Sequence, residues 1–311
     1  MHELYHFIQY NRRMSKKTLA LIALIIASLL WSTAGVAAKI LVKDMHPFVA
    51  AFYRFFFASI IILPFFLRQK ESQFKWKQLI IPSIIGALNI PFFFLGIKTT
   101  TANAATLIFT SSPLITAILS YVLIKEKNSF SQWIGVFVGL IGVLIIILIP
   151  TIENGQIISG NLQGNVLVTI GMLSWTLYAI WSRKTQGANQ YSPLATTSIY
   201  IFTATSMCFI LSLTTRQQFF LPIILSPTYL ITILYSAIFL TIITYFLFQW
   251  AIQHISATTA SFKQYIETVF AIVFNGILLG EKMTLGLIIG GLLVLIGVAI
   301  ATIGKMRKGV A

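Results

Sequence analysis

Apolar residues gather along the chain into ten runs, at residues 18–42, 47–67, 79–97, 102–124, 132–149, 164–182, 194–213, 229–252, 257–279 and 285–304. Each is near the ~20 residues a helix needs to cross a hydrocarbon core. The polar punctuation between them is short, except for residues 150–163, which fall mid-chain. Residues 219–226 are apolar but short and contain Pro222, which predicts a loop or interfacial segment. The pattern predicts an all-α polytopic membrane protein with ten transmembrane helices. These are flanked by basic ends at 1–17 and 305–311. Met14-Ser15-Lys16-Lys17 has the form of an ordinary start, so residues 1–13 are expected to be a dispensable extension. A basic start before an apolar run also mimics a signal peptide. Here the run reaches 42 and a related segment recurs mid-chain, which predicts retention.

Composition agrees: 57% of the 311 residues are hydrophobic and 9% charged, against about 25% charged in a soluble domain. The net charge of +15 sits in short clusters between the runs. With both termini on the cytoplasmic side, fifteen lysines and arginines lie inside and four outside, at Lys43, Lys98, Arg216 and Lys282. That asymmetry orients a membrane protein and attracts anionic lipid; it argues against nucleic acid as a partner. The single cysteine, Cys208, excludes an intrachain disulfide and a Cys-rich metal site.

The halves resemble each other. A shift of 155 residues lays Leu140-Ile141-Gly142-Val143 on Leu295-Ile296-Gly297-Val298, Glu126-Lys127 on Glu281-Lys282, and Ala105 on Ala260. A shift of 144 lays Trp31 on Trp175 and Lys39 on Arg183. The boundaries expected are 18–149 for a first five-helix repeat, 150–163 for the connection and 164–304 for a second repeat. An odd number of spans per repeat inverts the second, an arrangement that in carriers places the binding site at the repeat interface.

Polar residues inside apolar runs are the candidates for function, because an ionised group at a helix centre costs roughly 2.5–3.5 kcal/mol on insertion scales. Lys263 and Glu267 are four apart on one helical face, with Gln264 and Tyr265 between them. The pair reads either as a substrate-amine or proton-coupling site or as a structural ion pair. Arg54 in the second run reads as a structural hold or as a carboxylate-binding group, and Lys39 as a side chain snorkelling outward. Trp31, Trp175, Tyr178 and Tyr245, with Gln249, Asn89 and Asn103, offer aromatic faces and hydrogen bonds, for packing or for a ligand. Gly135, Gly139, Gly142, Gly286, Gly290 and Gly297 predict close helix packing. Pro82 and Pro91 predict kinks in the third run. Glu126 and Glu281 end their runs as salt-bridge or capping residues. His2, His6, His46 and His254 all lie outside the runs.

Leu-Trp-Ser and Lys39 in the first run, Pro47 and Arg54-Phe55 in the second, Thr110-Ser111-Ser112-Pro113-Leu114 and Glu126, and Tyr265-Ile266-Glu267 with Gly280-Glu281 together resemble the EamA-type drug/metabolite transporter family over residues 18–304. The resemblance implies a carrier of the bacterial inner membrane, often an exporter of amino acids, metabolites or drugs. One departure bears on shape: the family usually has proline after the ninth-span glutamate, where this chain has Thr268.

No GxxxxGK[ST], HExxH or GxSxG motif occurs, which argues against direct ATP drive, a zinc site or a nucleophile elbow. No catalytic residue, metal or cofactor is predicted. The function expected is secondary transport of a small organic solute, in the export direction and by alternating access, driven by a proton or a substrate gradient. The alternatives are an importer or exchanger of a larger metabolite on the same scaffold, and a membrane-embedded enzyme. An internal repeat permits one chain to act alone.

Overall fold

The computed structural model describes residues 16–69, 76–124, 129–152, 160–186, 191–219, 224–254 and 263–308. Glu126, residues 1–13 and the expected start of the ninth helix at 257 lie outside them, as does the Tyr265 side chain. No strand occurs among the described residues.

The helices are α1 (Lys16–Trp31), α2 (Ala34–Asp44), α3 (Pro47–Leu67), α4 (Trp76–Ala87), α5 (Asn89–Thr99), α6 (Ala102–Thr110) and α7 (Ser112–Ile124). They continue as α8 (Phe130–Ile152), α9 (Leu162–Gln186), α10 (Pro193–Thr214), α11 (Pro227–Ala237), a π-helical turn at Ile238–Ile243, α12 (Thr244–His254), α13 (Lys263–Leu279) and α14 (Leu285–Lys308). Among the described residues, six helical stretches are long and apolar enough to cross a membrane: Lys16–Asp44, Pro47–Leu67, Gln78–Thr99, Leu162–Ser182, Pro193–Thr214 and Pro227–His254. Shorter apolar helices occupy Trp133–Ile146, Ile266–Leu279 and Leu285–Gly297.

Local chemistry sets the starts. His46, Ser192 and Ser226 stand before Pro47, Pro193 and Pro227, whose missing N–H costs nothing at a first helical position. His46 Nδ1 accepts from the Phe48 N–H at 3.3 Å, and Ser192 Oγ from the Ala195 N–H at 3.1 Å. Pro82 sits inside an unbroken α4, so no helix ends there. The interruption falls at Leu88, where Pro91 two residues into α5 crowds the carbonyl of Ala87. Pro113 acts alike, with the helix broken at Ser111. Thr268 removes that constraint from α13, which runs on without a break from Lys263 to Leu279.

Helices pair mostly across the sequence midpoint: α1 on α12, α3 on α10, α5 on α9, α6 on α13 and α8 on α14. Glycine makes the last pair possible. A Cβ on Gly297 would lie 2.4 Å from the Gly139 nitrogen, and one on Gly142 would lie 2.5 Å from the Gly290 carbonyl oxygen. With these faces turned inward, α14 presents Leu285, Ile288, Ile289, Leu292 and Ile296 outward, as a helix does toward lipid.

Candidate functional site

Between α1–α3, α5, α6 and the Lys263 end of α13 lies a cavity of about 110 Å³. Small residues make its room: Ala34, Gly35, Ala102, Ala105 and Ala271 line it. Of the residues singled out from sequence, it brings together Glu267, Lys263, Gln264, Arg54, Trp31, Trp175, Tyr245 and Asn89. Tyr178 does not line it. It lies 1% exposed behind the wall, where the missing side chain of Gly86 admits its ring, and its hydroxyl accepts from Gln249 Nε2 at 2.8 Å. Gln249 is likewise buried, accepting from Ser182 Oγ at 2.9 Å. Hydrogen bonds between α9 and α12 hold both side chains in place.

Lys263 Nζ lies 2.8 Å from Glu267 Oε2, the i,i+4 ion pair that the helical spacing predicts. The same ammonium stands 4.4 Å from the Trp31 ring centroid, a cation–π contact the sequence did not disclose. Trp31 meets Trp175 edge-on at 5.7 Å and Tyr245 at 5.6 Å, so three aromatic side chains from α1, α9 and α12 form one corner. Tyr245 hydroxyl donates to that of Tyr200 at 3.2 Å, and Tyr200 donates to the Gly86 carbonyl at 3.3 Å.

Arg54 is 5% exposed. Its Nε donates to Thr241 Oγ1 at 2.9 Å and its Nη2 to the Leu240 carbonyl at 2.8 Å. The Trp31 indole N–H reaches the same carbonyl at 3.3 Å. Both acceptors sit in the π-helical turn, whose wider winding disturbs the regular α-helical ladder, a device frequent at functional sites. Arg54 therefore ties α3 to the turn before α12, and it also faces the cavity.

Two amide ends at the cavity wall, Asn89 Oδ1 and Gln264 Nε2, are buried without a hydrogen-bond partner among the described residues. Asn103 does not line the cavity; Asn275 Nδ2 donates to its Oδ1 at 3.1 Å, joining α6 to α13. Glu281 takes the capping role of the two expected for it: its oxygens accept from the N–H groups of Ala102 and Asn103 at 2.7 and 2.8 Å. Gly280, at φ +67°, turns the chain so that Glu281 reaches that helix start. Lys39 is half-buried away from the cavity wall. Phe93, Phe109 and Thr106 line the cavity and were not singled out from sequence. Phenylalanine in an apolar run carries no signal, but Thr106 and Asn275 were legible as polar residues within such runs.

The EamA-like transporter family profile matches twice, over residues 18–148 and 162–303. An uncharacterized transporter of Archaeoglobus fulgidus is 27% identical over 294 residues, covering 93% of this chain and 98% of that one. An S-adenosylmethionine uptake transporter of Rickettsia bellii is 33% identical over 131 residues, 41% of this chain and 45% of its own. One protein solved by crystallography shares the fold, with a TM-score of 0.66 at 17% identity over 93% of this chain and 98% of that one. With apolar helices enough for a multi-pass membrane protein and two profile matches that together span most of its length, the chain belongs to the EamA-like transporter family.

Proposed function

We propose that the protein is a secondary carrier that exports a small organic solute, such as an amino acid, another metabolite or a drug, across the bacterial inner membrane. Both termini are then cytoplasmic, a placement the distribution of Lys and Arg supports. The observation that carries this reading is the cavity itself: its wall joins Trp31, Arg54 and Asn89 from the first half to Trp175, Tyr245 and Glu267 from the second.

Two inverted five-helix repeats, 18–149 and 164–304, underlie the mechanism. Support comes from the pairing of helices. Counting the apolar runs in order, the first packs on the eighth and the sixth on the third, while the second meets the seventh, the fourth the ninth and the fifth the tenth. Adding five to each number, modulo ten, exchanges the first two pairs and returns the other three, as a two-fold relation between the halves demands. Rocking one half on the other would open the cavity to each side in turn. Glu267, held by Lys263, is the coupling site, because a proton taken up by the carboxylate releases the ammonium.

Import is the second reading, favoured by the relative from Rickettsia bellii named for uptake. The test is uptake of a labelled panel of amino acids and metabolites into proteoliposomes, with and without an imposed pH gradient, for wild type beside Glu267→Gln. Gradient-driven accumulation lost in the variant is the expected outcome. Exchange that ignores the gradient and the variant alike would reduce Glu267 to a structural partner of Lys263. Absence of counterflow for every solute would sink the carrier reading itself.

A further inference from the structure

We infer that the solute this cavity accepts is an organic monoanion, a carboxylate on an aromatic or apolar body. The inference rests on the carrier reading for the role of the ligand, but its test needs binding alone.

The first argument is a count of charge. Among the described residues, Arg54, Lys263 and Glu267 are the charged side chains lining the cavity, and they sum to +1. The three described carboxylates are all committed. Asp44 accepts from the Tyr229 hydroxyl, Glu281 caps Ala102 and Asn103, and Glu267 holds Lys263. None pairs with Arg54 among the described residues; by sequence Glu71, Glu126 and Glu153 fall in the polar segments between apolar runs and Glu3 ahead of the first run. A buried guanidinium with no counter-ion calls for one.

The second argument is geometric. Of the three guanidinium nitrogens, Nε and Nη2 are bonded to the π-helical turn, while Nη1 has no hydrogen bond to the described residues. A planar fork with free donors suits a carboxylate. Third, the cation seat is already taken. An incoming ammonium would have to displace a tethered one, Lys263, from both the Trp31 face and Glu267. An anion at Arg54 displaces no described carboxylate, since Glu267 is held by Lys263. Finally, the rings of Trp175, Phe93 and Phe109 supply an apolar lining, and Asn89 Oδ1 and Gln264 Nε2 are left to pair with polar substituents.

Three probes with one phenylethyl body separate the possibilities: 3-phenylpropionate is an anion, phenylalanine a zwitterion and phenethylamine a cation. Their dissociation constants are measured by calorimetry on the full chain in detergent. The expected result is at least tenfold tighter binding of 3-phenylpropionate than of phenethylamine, with phenylalanine between. Glu267→Gln, which raises the cavity to +2, should tighten the anion further; Lys263→Gln, which lowers it to zero, should weaken it by about tenfold. These two variants leave Arg54 and its helix tie in place, so they report even where Arg54→Gln fails to fold. Tighter binding of phenethylamine or of phenylalanine overturns the proposal. So does an anion-to-cation ratio unmoved by either variant, or no binding by any probe. Each of those results could coexist with counterflow of another solute, which would leave the carrier reading standing.

Discussion

Arg54 spends its charge on a carbonyl and a hydroxyl rather than on a carboxylate, and this makes Thr241 the most sensitive of its neighbours. Thr241→Val deletes the acceptor of the Nε–H while keeping the shape. A buried donor left unpaired costs about 1–3 kcal/mol, so the melting temperature in detergent should fall, and Thr241→Ser should restore it. His46 supplies a pH dependence. Burial, with the Lys98 ammonium adding to it, holds its pKa below the ordinary 6.5, so the fold favours the neutral ring that accepts from Phe48. Stability from this cap is complete above the ordinary value and declines as pH falls below it toward the lowered one. His46→Asn, which caps without titrating, should flatten the melting profile between pH 7 and 5; an unchanged slope would show that other groups set it. At this scale the sequence disclosed the Lys263–Glu267 pair, because four residues of helix bring two side chains together. It could not disclose the partners of Arg54, which lie 186 and 187 positions away and include a main-chain atom. Nor does any residue type mark a π-helical turn.

Among the helices, α8 and α14 meet where side chains are absent, and glycine positions that look alike in sequence separate sharply. Gly297→Ala would thrust a methyl to within 2.4 Å of the main chain of α8. The expected loss is about 1–3 kcal/mol, as in overpacked cores. Gly276→Ala meets nothing closer than 3.8 Å and should raise stability by up to about 1 kcal/mol, since alanine is the better helix former. Melting curves of the two variants should therefore move in opposite directions. Helix boundaries were legible where proline or a capping residue stood at the edge, as at His46-Pro47 and Ser192-Pro193. The interruption at Leu88 was not placed, because a proline predicts trouble for the preceding turn without saying which residue yields. The substitution of Thr268 for proline did carry its consequence, an unbroken α13 facing an α6–α7 pair divided at Ser111.

For the molecule as a whole, the all-helical, multi-pass character was readable in one dimension, whereas the choice of partner for each run was not. All these helices are apolar, and what selects α12 for α1 or α14 for α8 is shape: a missing Cβ, a tryptophan edge, a carbonyl turned out of line. The cavity assembled by that packing holds two positive charges and one negative, and this has an electrical consequence. A carrier that exposes its cavity alternately to two sides moves whatever net charge the cavity holds through the membrane field, at about 2.3 kcal/mol per elementary charge per 100 mV. Filled by a monoanion, the cavity is neutral and its reorientation should ignore voltage. Empty, it carries one positive charge, or two with the coupling proton on Glu267, and in either form its return should speed or slow with potential. Exchange of solute for solute in vesicles should then proceed at the same rate with and without a potassium diffusion potential, while net efflux should respond to it. In such a molecule the membrane potential would act as a brake or an accelerator on the unloaded protein alone.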